Sequence, residues 1–398
     1  RREARGAMRL VLNAKGMDRV LARHPWLFRG HAAGFPEAPS GELVAFGDRR
    51  HVLGWGFWNP GASLCCRVLA WTETRPVLEE LLRKRFAAAL RRRRIWCAGE
   101  DAYRLISGEG DGLPGLVVDV YGPVAVVQML SAGWHRNKGL LLDVLRECLA
   151  PEAVVLRNDV RVAEREGFPR ERCVLEGTLS EDAVIPVRYG DLLAGVRPLG
   201  GQKTGAYLDV RTFPRLLCGL APGARVLDAF CYQGAFGLHA LSFGAAEVVA
   251  VDQSEEALAA AEEDRLRNAL PDRLRRMCGN AFEVLRNLER AGERFDVAVV
   301  DLPPFAPGKD QIEAARRGYK ELALRTLKML VPGGTLFFFS CSAAFGGEML
   351  RTTLDDAARD AGKELRILAE LHQGADHPVL VQVPETGYLK GFVLEVTP

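Results

Sequence analysis

Arg225-Val-Leu-Asp-Ala-Phe-Cys-Tyr-Gln-Gly234 is the stretch of sequence that decides the fold of the second half of this chain. Its first residues form an apolar run that ends in Asp228, and the apolar residues after Gly234 predict a helix at residues 235–242. A strand, a short loop and a helix in this order are typical of a doubly wound parallel sheet, so we predict a Rossmann-like α/β domain. The same alternation continues, with strands predicted at residues 247–252, 275–278, 296–301 and 334–340 and helices at residues 255–268, 281–290 and 312–330.

The loop between Asp228 and Gly234 indicates which ligand this sheet binds. Gly234 is its only glycine, whereas a loop that cradles a pyrophosphate usually has several, for close backbone approach. The rings of Phe230 and Tyr232 would obstruct a pyrophosphate, but not the sulfur and the amino-acid tail of S-adenosylmethionine. We therefore expect S-adenosylmethionine as the cofactor, with these four residues lining its site.

Two further positions follow the next strands, at the edge where such sheets bind ligands. Asp252 ends the second strand about 20 residues after the loop, where an acid accepts hydrogen bonds from the ribose hydroxyls. Asn280 and Ala281 follow the third strand, where the adenine amino group would be read. Each polar residue has an alternative role as a helix cap, since Ser254 and Glu255 follow Asp252 and a predicted helix follows Asn280.

The fourth and fifth strands end in residues suited to catalysis. Asp301-Leu-Pro-Pro-Phe305 follows the fourth strand, and Ser340-Cys-Ser342 follows the fifth. Adjacent parallel strands would bring Asp301 and Cys341 together beside the cofactor methyl group. The two prolines would form a rigid loop that holds a flat base against Phe305.

The thiol of Cys341 has a specific use at such a position. A thiolate that adds to carbon 6 of a pyrimidine makes carbon 5 nucleophilic enough to accept a methyl group, which is covalent catalysis. The alternative is that Cys341 is a small buried apolar residue, the commonest state of a free cysteine.

The N-terminal part of the chain differs in pattern and in charge. Short strands separated by turns predict a small β-barrel; the strands are at residues 10–12, 41–46, 51–57 and 64–70, with one helix near residues 17–22. Residues 1–99 hold 19 Lys and Arg against 8 Asp and Glu, whereas the remainder holds 34 against 43. A basic module beside an acidic one is expected to meet a polyanion, and we predict nucleic acid.

A helix predicted at residues 77–96 carries part of this charge as Arg91-Arg-Arg-Arg94. For this run alone, a solvated helix end is the alternative. Strands at residues 103–129, 153–157 and 172–176, a helix near residues 134–149 and a hairpin near residues 184–196 complete the pattern. We predict a β-barrel domain at residues 8–73, a basic linker helix at 74–98, a small central α+β domain at 99–190 and the α/β domain at 191–398.

Composition narrows the class of protein further. Nine cysteines without a Cys-x-x-Cys pair favour neither a disulfide framework nor a zinc site. No apolar run approaches the roughly 18 residues that cross a membrane, and nothing after Met8 is typical of a signal peptide. We therefore expect a cytosolic protein without a metal and without a membrane partner.

Longer motifs extend over nearly the whole chain from Met8. In chain order they are Asn13-Ala-Lys-Gly16, His24-Pro-Trp26, Tyr103-Arg-Leu-Ile-Ser-Gly-Glu-Gly-Asp-Gly-Leu-Pro-Gly115, Gln202-Lys-Thr-Gly-Ala-Tyr-Leu-Asp-Val-Arg211, the Asp228–Gly234 loop, Arg317-Gly-Tyr-Lys320, Ser340-Cys-Ser342, Asp376-His-Pro-Val379 and Tyr388-Leu-Lys-Gly-Phe392. With these motifs the sequence resembles the bacterial PUA-domain 23S ribosomal RNA (cytosine-5) methyltransferases.

The resemblance implies a PUA domain for the β-barrel and a class I methyltransferase domain for the α/β part. It implies Cys341 as the nucleophile, Asp301 in the substrate and methyl pocket, and Asp252 on the ribose. It also implies that the segment from Gln202 to Arg211 runs along the wall of the cofactor and active site. We expect RNA contacts from residues in these motifs, in the arginine run and in the loop after Asp301, namely Lys15, Arg91, Arg92, Arg93, Arg94, Lys203, Phe305 and His377.

Two positions depart from the pattern of the family. The family usually has Asp-Pro-Pro-Lys-Phe where this chain has Asp301-Leu-Pro-Pro-Phe305, so a basic residue near the target base is missing. Asn280 stands where an acid is common. Both departures bear on the choice of target nucleotide, and neither removes Cys341 or Asp301.

We therefore predict an S-adenosylmethionine-dependent enzyme that forms 5-methylcytosine in ribosomal RNA, with 23S RNA as the expected substrate. An exocyclic-amine RNA methyltransferase is the alternative enzyme, because Asp/Asn-Pro-Pro-aromatic loops also orient amino groups and that chemistry needs no thiol. A non-catalytic RNA-binding assembly factor that retains the cofactor fold is the alternative outside enzymes. A homodimer is compatible with the sequence.

Overall fold

The computed structural model describes residues 9–305 and 311–397. The chain forms two compact units and passes from one to the other five times along its length. The first unit consists of the residues up to Val187, with Val196–Leu208 and Ala375–Thr386; the second consists of Arg188–Gly195, Asp209–Gly374 and the residues from Gly387 onward. Residues 196–208 and 375–386, which the sequence-based division assigns to the α/β domain, belong to the first compact unit, and the predicted domain boundaries stay a prediction.

The N-terminal residues form a six-stranded mixed sheet in the first unit. Its order is β2-β6-β5-β4-β1-β3, with strands β1 Arg9–Leu12, β2 Trp26–Phe28, β3 Ala32–Gly34, β4 Leu43–Gly47, β5 Val52–Trp58 and β6 Leu64–Ala70. Helix α1 (Ala14–Leu21) follows β1, and Asn13 caps it because its side chain accepts a hydrogen bond from the N–H of Gly16. A Cβ atom at Gly16 would collide with the backbone oxygen of His31, so this motif requires glycine.

A second sheet and a long helix complete the first unit. The sheet has the order β11-β10-β9-β8-β7, with strands β7 Ala102–Ser107, β8 Leu116–Tyr121, β9 Val124–Met129, β10 Ala153–Arg157 and β11 Arg172–Glu176. Helix α2 (Leu78–Trp96) packs Leu82, Phe86 and Ala89 into the same apolar core as these strands. The shorter helices are α3 Ala132–Arg136, α4 Lys138–Leu149 and α5 Arg161–Glu166. A hairpin of β12 (Ile185–Tyr189) and β13 (Leu192–Val196) follows, and most of it, Arg188–Gly195, belongs to the second unit.

The second unit contains a seven-stranded sheet in the order β16-β15-β14-β17-β18-β20-β19. Its strands are β14 Arg225–Ala229, β15 Glu247–Asp252, β16 Leu274–Cys278, β17 Phe295–Leu302, β18 Leu330–Ser340, β19 Leu365–Leu371 and β20 Lys390–Val396. Strands β14 to β18 are parallel, and β20 is antiparallel to both β18 and β19. Within its described residues the α-helices are α6 Ala235–Ser242, α7 Glu255–Arg267, α8 Ala281–Arg290, α9 Ile312–Met329 and α10 Gly347–Ala361.

The central parallel strands are buried along most of their length, as expected when helices cover both faces of a sheet. The predicted Rossmann-like α/β architecture is therefore confirmed. In the part of the chain that the structure describes, no helix has both the length and the apolar character needed to cross a membrane.

Candidate functional site

The loop after β14 has an unusual backbone that positions its side chains. Phe230, Tyr232 and Gly234 have φ angles of 61°, 49° and 72°, in the left-handed region that favours glycine. The N–H of Cys231 donates to the oxygen of Val251 at 3.1 Å, which fastens the loop to the next strand. Gly234 is the N-cap residue before helix α6, and a Cβ there would lie 3.3 Å from the Cβ of Ala261 on helix α7. Gly234 thus serves close helix packing and the turn, and the two half-buried rings flank the loop.

Asp228 is fully buried at the end of β14, directly before this loop. Its Oδ2 accepts a hydrogen bond from the N–H of Gly237 at 2.8 Å, while its Oδ1 has no hydrogen-bond partner among the described residues. Burial, together with the charges of Asp301 and Asp252, raises the pKa of Asp228 to about 7. An unmatched carboxylate oxygen in this place suits a cationic ligand, and S-adenosylmethionine carries both an ammonium and a sulfonium group.

Asp252 lies at the end of β15, and its carboxylate is held in a fixed orientation. Oδ2 accepts the N–H of Tyr232 at 2.8 Å, and Oδ1 accepts the N–H of Ser254 at 2.9 Å. The cap of helix α7 is Ser254, whose side chain accepts from the N–H of Ala257. Each carboxylate oxygen can accept a second hydrogen bond, so the half-buried Asp252 can also bind ribose hydroxyls.

Asn280 caps helix α8, because its Oδ1 accepts a hydrogen bond from the N–H of Phe282 at 3.0 Å. The capping role that the sequence left as an alternative is therefore present. The side chain is exposed and lies one strand away from Asp252, and Ala281 is the buried first residue of the helix. Asp228, Asp252 and Asn280 thus lie at or just beyond the C-terminal ends of three neighbouring strands, and this arrangement fits S-adenosylmethionine.

Strands β17 and β18 bring Asp301 and Cys341 to that same edge. In their parallel register, Asp301 pairs with Phe339 and Leu302 pairs with Ser340, so Cys341 lies one residue beyond the last pair. The half-buried thiol of Cys341 donates to the backbone oxygen of Leu302 at 3.5 Å. Asp301 is also half-buried, and after burial its charge is a further cause that raises the pKa of Asp228.

Tyr319 on helix α9 contacts the two residues that flank Cys341 in the sequence. Its ring is fully buried, and its hydroxyl lies 2.7 Å from the Oγ of Ser342 and 3.1 Å from the Oγ of Ser340. One phenol therefore contacts both serines that flank the thiol. Sequence reasoning did not assign this role, although Tyr319 lies within the Arg317-Gly-Tyr-Lys320 motif.

Phe305 was expected to hold a flat base, but its ring is largely engaged by the protein. It stacks on Tyr319 with a centroid distance of 5.2 Å and on Phe282 at 6.0 Å, and it meets Phe230 edge-on. A Cβ at Gly318 would lie 3.3 Å from the Phe305 ring, so glycine makes room for this cluster. Phe305 is thus half-buried in an aromatic cluster, and its contact with a base stays a prediction.

The segment from Gln202 to Arg211, which was expected to line the cofactor and active site, is divided between the two units. Gln202 and Lys203 belong to the first unit, where the Tyr207 hydroxyl donates to Gln202 and the Lys203 ammonium lies 4.0 Å from the Tyr207 ring centroid. The neighbouring Thr204 is buried and donates to Asp119 at 2.6 Å. Arg211 belongs to the second unit and is buried.

The expected RNA-binding residues fall into an exposed group and a buried group. Lys15, Arg91, Arg94 and Lys203 are exposed, and Arg92 is half-buried beside Asp111. Arg93 is 2% exposed, and its guanidinium makes two bonds to Asp111, at 2.7 and 2.6 Å. The expectation of an RNA contact by Arg93 is therefore corrected, because this side chain is an internal ion pair.

His377 is corrected for the same reason. It is 3% exposed, and its Nδ1 lies 3.1 Å from Asp376, which is itself buried. The backbone oxygen of Asp376 accepts from Arg93, and its Oδ2 accepts the N–H of Arg104. The Asp376-His-Pro-Val379 motif is thus a structural anchor of the first unit. Sequence reasoning missed Ile95 and Trp96, which are 67% and 69% exposed beside Arg91 and Arg94.

The geometry of the second unit defines a class of protein, because an α/β sheet whose strand ends fit S-adenosylmethionine beside an acid and a thiol is that of a methyltransferase. Residues 194–392 match the S-adenosylmethionine-dependent methyltransferase family, and residues 10–71 match the PUA-like domain. A solved structure from Streptococcus mutans assigned to the SAM-dependent methyltransferases shares the fold, with a TM-score of 0.83, 17% identity and coverage of 98% of this chain and 100% of that one.

The chain belongs to the family of S-adenosylmethionine-dependent methyltransferases that includes proteins named Ribosomal RNA large subunit methyltransferase I. The relative of that name from Salmonella arizonae is 36% identical over 98% of this chain and 97% of its own length. The relative from Erwinia tasmaniensis is 35% identical over 98% of this chain and 99% of its own length. The cofactor is therefore S-adenosylmethionine.

Proposed function

We propose that this protein methylates carbon 5 of a cytosine in ribosomal RNA, with the 23S RNA of the large subunit as its substrate. The relatives named Ribosomal RNA large subunit methyltransferase I and the PUA-like domain support the RNA substrate. The observation that carries the cytosine-5 chemistry is the position of Cys341, a half-buried thiol one residue beyond the strand pair that holds Asp301 at the same edge.

In the proposed mechanism, the thiolate of Cys341 adds to carbon 6 of the cytosine, and the electron pair of the 5,6 double bond makes carbon 5 nucleophilic. S-adenosylmethionine, when bound, supplies the methyl group as an electrophile. The proton on carbon 5 then leaves, the 5,6 double bond forms again, and the bond between Sγ and carbon 6 breaks to release the thiolate.

Asp301 is the proposed partner of this thiol. Its half-buried carboxylate lies at the end of β17, next to the strand that leads to Cys341. From there it would orient the cytosine and take the proton from carbon 5, directly or through a water. Asp301→Asn should therefore slow turnover by more than the 10²–10⁴-fold that is typical for the loss of one proton-transfer group.

The test uses RNA with 5-fluorocytosine at the target position. Fluorine cannot leave as a cation, so the wild-type enzyme should stop as a covalent adduct that survives denaturation and requires S-adenosylmethionine. Cys341→Ala should form no adduct and have no measurable turnover while it still binds the cofactor. Cys218→Ala, which removes an exposed thiol, is the matched control and should form the adduct normally.

Two outcomes would contradict the proposal. Normal methylation by Cys341→Ala would favour transfer to an exocyclic amine, which needs no thiol. Failure of the wild-type protein to bind S-adenosylmethionine would favour a non-catalytic RNA-binding role. Mass-spectrometric mapping of 23S RNA from cells with and without the gene would identify the nucleotide.

A further inference from the structure

Lys390 is the first residue of β20, at the edge of the sheet that carries Cys341. In the antiparallel register of β18 and β20, Lys390 pairs with Ser340, the residue before Cys341. The Nζ of Lys390 donates to the backbone oxygen of Ser342 at 2.7 Å and to that of Tyr388 at 2.7 Å. The ammonium group is therefore fastened to the residue that follows the thiol.

The surroundings leave the charge of this ammonium group available to the thiol. Both acceptors are neutral carbonyls, and no carboxylate forms an ion pair with Lys390 among the residues that the structure describes. Burial lowers the pKa of Lys390, whereas the nearby charge of Cys341 acts in the opposite direction. A cation that is partly shielded from water acts more strongly on a neighbouring anion than a solvated one.

Among the described residues, the ionisable side chains near this end of β18 include Asp301 from β17, Tyr319 from α9 and Tyr388 beside Lys390. Asp228 on β14 and Asp252 on β15 lie at the same edge but farther along the strand order. The carboxylate of Asp301 disfavours a second negative charge close to it. Lys390 thus opposes the effect of Asp301 on the thiol.

We infer that Lys390 is a positioning residue that holds Cys341 in its thiolate form and fixes the backbone that aims it. The role rests on the covalent mechanism proposed above, since only a nucleophilic thiol needs it. A thiolate next to a cation is also the form in which cysteine reacts with electrophiles other than the substrate.

The test measures that reactivity directly in the full-length protein without RNA. Iodoacetamide alkylates a thiolate with loss of iodide, so the rate at Cys341 is followed by mass spectrometry from about pH 5 to 10. In Lys390→Met the midpoint of the rate profile should rise by about 1 pH unit or more, as expected when an opposite charge is removed. Lys390→Arg keeps the charge and should remain close to wild type.

Lys363→Met is the matched control. Lys363 is a second lysine whose pKa is lowered by burial, and its Nζ donates to the backbone oxygen of Leu330, at the opposite end of β18. This variant removes a similar lysine contact at the far end of β18 and should leave the midpoint at Cys341 unchanged. If Lys390→Met does not fold, Lys390→Gln gives the same comparison with a polar side chain.

An unchanged midpoint in a folded Lys390→Met or Lys390→Gln protein would overturn the inference. An equal shift in Lys363→Met would overturn it as well, since the effect would then not depend on proximity. The result is independent of methyl transfer. A shifted midpoint with full methylation by Cys341→Ala would leave the role of Lys390 on the thiol intact and refute the covalent mechanism alone.

Discussion

At the scale of single residues, Asp228 is a fully buried carboxyl group in the candidate cofactor site, with two acidic neighbours. Transferring a carboxylate from water into the protein interior costs free energy unless hydrogen bonds or opposite charges compensate. Asp228 has one such bond, to Gly237, and two acidic neighbours that add to the cost. The cofactor-free protein therefore carries a local destabilisation that a cationic ligand would relieve.

This environment predicts a pH dependence of stability. The pKa of about 7 in the folded protein lies above the value of about 3.9 for an unfolded aspartate, so the folded state binds the proton more tightly. The stability from this group is complete below about pH 4 and is lost as pH rises through 7. Asp228→Asn should therefore raise the melting temperature of the cofactor-free protein above that of wild type at pH 8, but not at pH 4.

Differential scanning fluorimetry at pH 4, 6 and 8 would measure this difference. Asp272→Asn, which alters an acid whose side chain is 91% exposed, is the control and should show no such trend. A difference between Asp228→Asn and wild type that stays constant over this pH range would contradict the prediction.

At the scale of elements, helix α2 shows how one run of identical residues serves two purposes. Arg93 follows Leu82, Phe86 and Ala89 on the buried face of the helix, whereas Arg91 and Arg94 lie on the exposed face. The helical period thus places Arg93 against the protein and turns Arg91 and Arg94 toward solvent. Arg93 fastens the end of the helix to Asp111, and the exposed pair remains available to RNA phosphates.

Substitutions of the exposed and of the buried arginines should therefore affect different properties, RNA binding in the first case and stability in the second. Arg91→Gln with Arg94→Gln should weaken RNA binding and reduce the log–log salt slope by about 0.7–0.9 per arginine, while the melting temperature stays constant. Arg93→Gln should lower the free energy of unfolding by about 3–5 kcal/mol, because it leaves the buried Asp111 without its main partner. Filter binding at several salt concentrations and urea unfolding would measure both. An unchanged slope in the double variant would make the exposed pair a solvated helix face.

The elements that the sequence predicted are those with a strong local pattern. The buried parallel strands and the helices between them lie within a few residues of their predicted positions, because continuous apolar runs and the 3.6-residue period are local signals. Strands β2 and β3 have three residues each, too few to show an alternation. Strand β19 has mostly exposed residues and forms through its pairing with β20, which is a distant partner in sequence.

The candidate site was also predictable where it depends on the order of the strands, and not where it depends on contacts between distant segments. Strand-end positions followed from the topology of the sheet, so Asp252, Asp301 and Cys341 could be placed at one edge from sequence. The buried state of Arg93 could not, because it depends on an acid 18 residues away and on a segment that returns much later in the chain. The same holds for Phe305, whose ring packs against two distant helices.

At the scale of the whole molecule, the first unit depends on residues near the end of the chain. Asp376 is buried and bonds to Arg93 and to the N–H of Arg104, and the carbonyl of Pro378 lies against Gly110. Thr204, also distant in sequence, bonds to the buried Asp119. A cut near residue 190 therefore removes internal parts of the first unit.

A fragment of residues 8–190 should for this reason fail to melt cooperatively when it is expressed alone, since buried polar groups such as Asp119 and the N–H of Arg104 lose their partners. Co-expression with residues 191–398 should restore a cooperative transition, measured by circular dichroism on the copurified fragments. A cooperative transition of the isolated fragment at the temperature of the intact protein would show that the returning segments add little.

The same return of the chain has a consequence for biosynthesis. A ribosome makes protein from the N-terminus at about 5–20 residues per second, so roughly 200 residues between positions 187 and 386 take about 10–40 s. During that interval the nascent first unit has a nearly complete core but lacks the segment Ala375–Thr386, which carries Asp376. The last contacts of the first unit thus form only after most strands of the methyltransferase sheet have left the ribosome. The incomplete first unit must therefore stay soluble while the rest of the chain is translated.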